Sequence, residues 1–225
     1  AEAKIADCDS RLEKQNEALQ ELLAEENDCK VQSDIATQRI EAFRAMEEHF
    51  EGDGHAVRFV MESYAAGKIT DAQGRRCGKI YGPLSKVISV DKPYVTAIEV
   101  ALGNNLQHIV VEGEAVAKAA IHALKSAEAG RATFFPVSAM RGLTETEEMR
   151  EAAKCRGYVG VASELVNCDD HFREVVGSLL GRTVVFEDLD SATTMAQKTR
   201  FRVKVVTLDG QVINAGGSYT GGSLK

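Results

Sequence analysis

The chain has no tryptophan, three prolines, and no run approaching the ~18 apolar residues of a membrane-spanning helix. No charged start followed by an apolar stretch marks a secretory leader, so a cytoplasmic protein without a membrane partner is expected. The five cysteines (Cys8, Cys29, Cys77, Cys155 and Cys168) are far apart and form no C-x-x-C pair, which removes the usual sequence support for a zinc site, a redox dithiol or a disulfide framework. Catalytic signatures are missing too. There is no G-x-x-x-x-G-K-[ST] phosphate loop, no H-E-x-x-H, no G-x-S-x-G and no complete G-x-G-x-x-G; Gly52-Asp53-Gly54 is only a fragment of the last. The histidines (His49, His55, His108, His122 and His171) are scattered, and His171 shares a helical face with Glu174 without further ligands. A non-catalytic chain with no metal and no cofactor is therefore expected.

Positive charge is also scarce, but only at the front. Residues 1–50 hold 6 Lys/Arg against 13 Asp/Glu, which leaves 21 of each in the remainder. A neutral globular part does not signal strong nucleic-acid binding, since phosphate affinity scales with the number of cationic contacts.

Neither proline nor glycine occurs between Ala1 and Phe50, and charged and amide side chains dominate there, as in a long helix with solvated outer faces. Spacings of three and four put Ile5, Cys8, Leu12, Gln15, Leu19 and Leu22 at alternating a and d positions, and the same register later meets Ala36, Ile40, Phe43 and Phe50. Glu26 and Ser33 interrupt this seam. Fifty helical residues extend about 75 Å, farther than a domain of this size could cover, which predicts a protruding coiled-coil arm. Glu51-Gly52-Asp53-Gly54 is expected to stop the arm, with Asp53 capping the next helix.

Beyond it, helical and extended signals alternate. Helices are predicted over 55–66, after Asp91-Lys92-Pro93 up to Gly103, over 114–127, from Asp169-Asp170 to Leu180, and over 190–199; strands over 108–111, 131–137, 159–161 and 183–186. Residues 79–90 read as an extended stretch broken at Gly82-Pro83, and 142–157 as a charged, partly helical connection. This is the pattern of an α/β fold with helices on its sheets, in mixed α+β arrangement. From Val203 to Ile213, Asp209-Gly210 separates two apolar runs as a two-residue hairpin turn would. The expected organisation is an arm (1–50), a first lobe (51–142) and a second lobe (143–225).

Two features carry functional candidates. After the hairpin, Asn214 to Ser223 contains Gly216, Gly217, Gly221 and Gly222; such glycines cradle an anion, form a flexible linker, or let two backbones approach closer than a Cβ allows. In Arg200-Phe201-Arg202-Val203-Lys204-Val205 strict alternation places Arg200, Arg202 and Lys204 on one face of a strand, either as a charged edge that blocks unwanted pairing or as a nucleic-acid contact. Arg75, Arg76 and Lys79 form a looser cluster with the same two readings.

Taken in order, the arm, Ala97 to Gly103, Leu106 to Val111, Gly130 to Pro136, Leu180-Gly181, Val206 to Gly210 and the glycines of 216–223 resemble the hinge of SMC (structural maintenance of chromosomes) proteins, of the bacterial condensin type. The resemblance spans about residues 52–223. It implies a homodimer in which the first lobe of one copy meets the second lobe of the other, with Gly216, Gly217, Gly221 and Gly222 at the contact. It also implies weak DNA binding, for which Arg200, Arg202, Lys204, Arg75, Arg76 and Lys79 are candidates. Kleisin and accessory subunits are implied elsewhere on the full-length protein, which works at the nucleoid. Ala215 stands where that family often has proline, and Tyr219 where a smaller or aliphatic side chain is usual. In the family a second helix leaves the hinge and pairs with the incoming one. The last residues are read as its start, so the seam of residues 5–50 is expected to be exposed here. The competing reading is a phosphate- or ligand-binding α/β domain that dimerises through its coil, with the glycines as an anion cradle.

Overall fold

The structure is a computed structural model that describes residues 15, 19, 20, 22, 23, 25–27, 29–34, 37, 51–71, 73–76 and 78–223, without the side chains of 51–53. The chain divides into two units, Ala1–Glu51 and Gly52–Lys225. In the first, every described residue is helical, and each of those up to Thr37 is solvent-exposed. Seam residues Leu19 and Leu22 are 54% and 62% exposed, as are Leu23 and Val31 to a similar degree. Gln15, Glu26 and Ser33 are helical as well, while Ile5, Cys8, Leu12, Ala36, Ile40, Phe43 and Phe50 lie outside the described residues.

Helix α1 (Glu51–Ala65) begins at the last residue of the first unit and supplies the first element of the second. The expected stop at Gly52-Asp53-Gly54 is therefore corrected: these residues are helical. Two helical glycines cost about 1 kcal/mol each against alanine, an amount that tertiary packing overrides, and Ala56 and Val60 of this helix are fully buried. The side chain of Asp53, the expected cap, lies outside the described residues.

There follow β1 (Ile80–Pro83), α2 (Leu84–Val87), β2 (Ile88–Val90), α3 (Val95–Leu102), β3 (Ile109–Val111), α4 (Glu114–Ser126) and β4 (Phe134–Pro136). Then come α5 (Glu147–Ala152), β5 (Tyr158–Val161), β6 (Val166–Cys168), α6 (Arg173–Leu180), β7 (Thr183–Phe186), α7 (Leu189–Lys198), β8 (Lys204–Thr207), β9 (Val212–Ile213) and β10 (Tyr219–Thr220). Pro93 opens the 3-10 turn ahead of α3, where Asp91 makes no side-chain cap, and Gly103 ends α3 with φ 51°. Asp169 does cap its turn, accepting from His171 N at 2.9 Å.

Three sheets form, all with mixed or antiparallel pairing: β1-β3-β4, β10-β9-β8-β7-β5, and a β2-β6 ribbon. The parallel pair β7/β8 sits between antiparallel neighbours and the parallel pair β3/β4 beside antiparallel β1, so the fold is mixed α/β. The period of two along each strand sorts side chains between three cores. Ile109 and Val111 join Val60, Val116 and Leu124 under α1 and α4. Val184, Phe186, Val205 and Ile213 join Met149 and Met195 under α5 and α7. The alternate residues Val110, Val185, Val206 and Val212 turn to a central core with Ile98, Leu102, Val175 and Leu180. Both larger sheets thus share one apolar layer filled by α3 and α6. The connection after β4 is strapped across α6, where Gly142 N donates to Glu174 Oε2 at 2.6 Å and Leu143 N to Gly177 O at 3.3 Å.

Two local expectations need correction. The β8–β9 pair has register Val205↔Ile213 and Val206↔Val212, with Gly210 N donating to Thr207 O and Thr207 N to Gln211 O. The loop is thus three residues, Leu208-Asp209-Gly210, with Gly210 at φ 86°, a turn closed by a glycine bulge rather than a two-residue turn. Secondly, residues 200–203 are not a strand. Arg200 and Phe201 have φ 54° and 55°, and β8 begins only at Lys204.

Candidate functional site

The glycine-rich segment forms the outermost edge of the five-stranded sheet. Asn214 N donates to Ser218 O at 2.8 Å and Gly217 N to Asn214 O at 3.0 Å, closing a tight hairpin tip between β9 and β10. Gly216 and Gly217 hold φ 96° and 93° there, a region that side chains disfavour. Beyond the tip, Tyr219 pairs with Ile213 and Thr220 with Val212. Tyr219 is 50% exposed, and its hydroxyl donates to Thr193 Oγ1 of α7 at 3.4 Å.

The tip rests on the end of α7. That end is a helix-terminating motif in which Phe201 N donates to Ala196 O at 2.7 Å and Arg200 N to Gln197 O at 3.1 Å. Phe201 O in turn accepts from Gly216 N at 2.8 Å, and the Phe201 ring lies where a Cβ on Gly217 would be 3.5 Å away. At the other end of the edge, Gln211 Oε1 accepts from Gly222 N at 2.9 Å while its Nε2 donates to Gly222 O at 3.3 Å. A Cβ on Gly221 would run into Gln211 Oε1, whereas nothing lies within 4 Å of one on Gly216 or Gly222. The four glycines are thus brought to one exposed edge, two facing open space and two seated on their own chain.

An anion cradle requires free, convergent N–H groups. The amides of Gly216, Gly217 and Gly222 already donate to protein oxygens, and Gly216 and Gly217 join two strands rather than a strand and a helix. Two open depressions of about 440 and 510 Å³ are lined by Lys86 to Ser89 with Asn167 to Asp169, and by Lys79, Tyr81, Asp169, His171 and Phe172; neither includes these glycines.

The basic candidates are placed less uniformly. Arg200 is exposed on the α7-terminating turn. The Arg202 guanidinium lies 3.1 Å from Glu148 Oε1. Lys204 is half-buried, its Nζ donating to Ala101 O at 3.0 Å, and burial pushes its ammonium below the usual lysine value. The common face expected from alternation is corrected accordingly: the helix end at 200–201 breaks the two-residue period. Arg75 pairs with Asp71 at 3.1 Å, Arg76 is exposed, and Lys79 Nζ lies 5.1 Å from the Tyr81 ring centre. His171 meets Tyr81 Oη at 2.8 Å while Glu174 is taken by Gly142, so the shared helical face holds no joint site. Cys29, Cys155 and Cys168 are free thiols, and Cys8 and Cys77 lie outside the described residues. Among the described residues no group of three His, Cys, Asp or Glu stands close enough to hold a metal, and no helix is long and apolar enough to cross a membrane.

Phe201 and Gln211 were not candidates from sequence. Phe201 read as one residue of an alternating strand. Gln211 stands opposite Gly221 only once the β9–β10 register is known.

A three-sheet α/β module whose distinguishing site is an open, glycine-lined sheet edge rather than a cavity belongs to the class of interaction modules. The family model of the SMC proteins flexible hinge domain matches residues 78–196, and the chain belongs to that family. It is 38% identical over 187 residues to the chromosome partition protein Smc of Desulfitobacterium hafniense, covering 83% of this chain and 15% of that protein. With the Bacillus subtilis protein of the same name it shares 43% over 151 residues, 67% of this chain and 13% of that one. The chain therefore spans about a seventh of the length of these curated relatives. Among solved structures, an asymmetric dimer of the Geobacillus stearothermophilus SMC hinge domain matches with TM-score 0.67 and 34% identity over 86% of this chain and 77% of that one. The Pyrococcus furiosus SMC hinge domain matches with TM-score 0.54 and 29% identity, over 75% and 89%.

Proposed function

We propose that this chain is the homodimerisation hinge of a chromosome-partitioning SMC protein, joining two coiled-coil arms so that ATPase heads elsewhere on the full-length protein act on one chromosome. The carrying observation is the outer edge of β10, where Gly216 and Gly222 leave room for a second backbone. The lobe over 51–142 of one copy meets the lobe over 143–225 of the other, with Gly216, Gly217, Gly221 and Gly222 at the contact, and two such contacts close a two-fold ring. The hinge performs no chemistry itself, kleisin and accessory subunits bind elsewhere, and the protein works in the cytoplasm at the nucleoid. Sedimentation of the 225-residue chain tests this reading. Gly216→Asp places a side chain and a charge in the open space at the contact and is expected to turn dimers into folded monomers; a dimer that survives this change but is lost on Leu22→Asp would mean association through the arm.

The hinge also binds DNA weakly through the exposed cations Arg75, Arg76, Lys79, Arg200 and Arg202, of which Arg75 and Arg202 are shared with Asp71 and Glu148, while the half-buried Lys204, engaged by Ala101, serves mainly the fold. Binding that weakens with salt and is lost on charge reversal at Arg75 and Arg76 supports this. Unchanged affinity in that variant removes the patch.

A further inference from the structure

β10 is only two residues long and forms the rim of its sheet. A strand that short does not keep its place by ladder bonds alone, and ordering it at the moment of association would weaken binding. Besides the Tyr219 hydroxyl on Thr193 and the Asn214 amide on Ser218 Oγ, two contacts hold it in advance. At the tail, the Gln211 side-chain amide mimics a peptide group: its oxygen accepts Gly222 N–H at 2.9 Å and its nitrogen donates to Gly222 O at 3.3 Å, continuing the ladder beyond Thr220. The absence of a Cβ at Gly221 is what lets this side chain cross over. At the tip, Phe201 offers its carbonyl to Gly216 N–H and its ring to Gly217, from a turn in which two side-chain-bearing residues keep positive φ. Such backbone is retained where the surroundings over-determine it.

Resting on the hinge reading above, we infer that Gln211 and Phe201 are positioning residues that hold the glycine edge in its associating conformation before a second copy arrives. Gln211 gives the cleaner test, because its backbone bonds with Thr207 do not depend on its side chain. In the 225-residue chain, Gln211→Ala is expected to raise the dimer dissociation constant at least about tenfold with an unchanged thermal midpoint of the monomer. Amide exchange at Gly222 should accelerate in the same variant. Gln211→Glu, which keeps the acceptor and loses the donor, should restore part of both. Phe201→Ala is expected to weaken association and speed exchange at Gly216; should it unfold, the Gln211 pair still decides. If Gly216→Asp splits the dimer while Gln211→Ala associates as tightly as the parent, the positioning role is overturned and the hinge reading stands. If Gly216→Asp leaves the dimer intact, both fall.

Discussion

At Gly221 an added methyl runs into the Gln211 amide, whereas at Gly216 it meets open space. Alanine should therefore act differently at the two positions. Gly216→Ala bears mainly the strain of φ 96° and is expected to lower stability by about 1 kcal/mol, read as a modest fall in thermal midpoint. Gly221→Ala displaces Gln211 from Gly222, so its main effect should appear in sedimentation, as looser dimers at nearly unchanged monomer stability. Spacing alone groups four glycines into one motif. Their separate reasons depend on which side chain crosses which backbone, and Gln211 lies 11 residues from its partner.

Among the elements, the end of α7 is the most instructive. A helix-terminating motif ordinarily places glycine where Arg200 stands with φ 54°. Arg200→Gly should raise stability by about 1 kcal/mol, measurable in denaturant titration, since left-handed backbone costs a side-chain-bearing residue about that much. The alternation Arg-Phe-Arg-Val-Lys-Val suggested a strand through this point because charge and apolarity did alternate. Bonds from Arg200 and Phe201 back to Gln197 and Ala196 outweigh that pattern. By contrast, β7 was legible to the residue, since a fully buried run of Thr183 to Phe186 between Gly181 and the capping Asp188 has no helical competitor. Acid should loosen this region. The Glu148 carboxyl, bonded to its own N–H and then to Arg202, and the Asp188 carboxyl, bonded to Ser191, are held below their ordinary values of 4.5 and 3.8. Depressed carboxylates contribute stability that is fully present above those ordinary values and is lost as pH falls through the lower folded ones. Thermal midpoints between pH 6 and 3 should fall less steeply in Glu148→Gln than in the parent; identical slopes would remove Glu148 from this account.

For the whole molecule, the order of helices and strands suggested two successive lobes. Sequence periodicity identifies which face of an element is apolar but not which neighbour covers it. The central core draws Ile98 and Val110 from the first half and Val175, Val185 and Val206 from the second. Ile98→Ala, at a position 2% exposed, should cost about 2–5 kcal/mol. Because the layer is common to both sheets, calorimetry should give one transition at a lower temperature; two separated transitions would mean that the halves unfold independently.

That common layer has a mechanical corollary. Prising the two halves of one hinge apart would wet Ile98, Leu102, Val185 and Val206 together, whereas the edge proposed to face a second copy offers only glycines and the half-exposed Tyr219. In the ring proposed above, load carried by the arms is expected to part the copies before it opens either one.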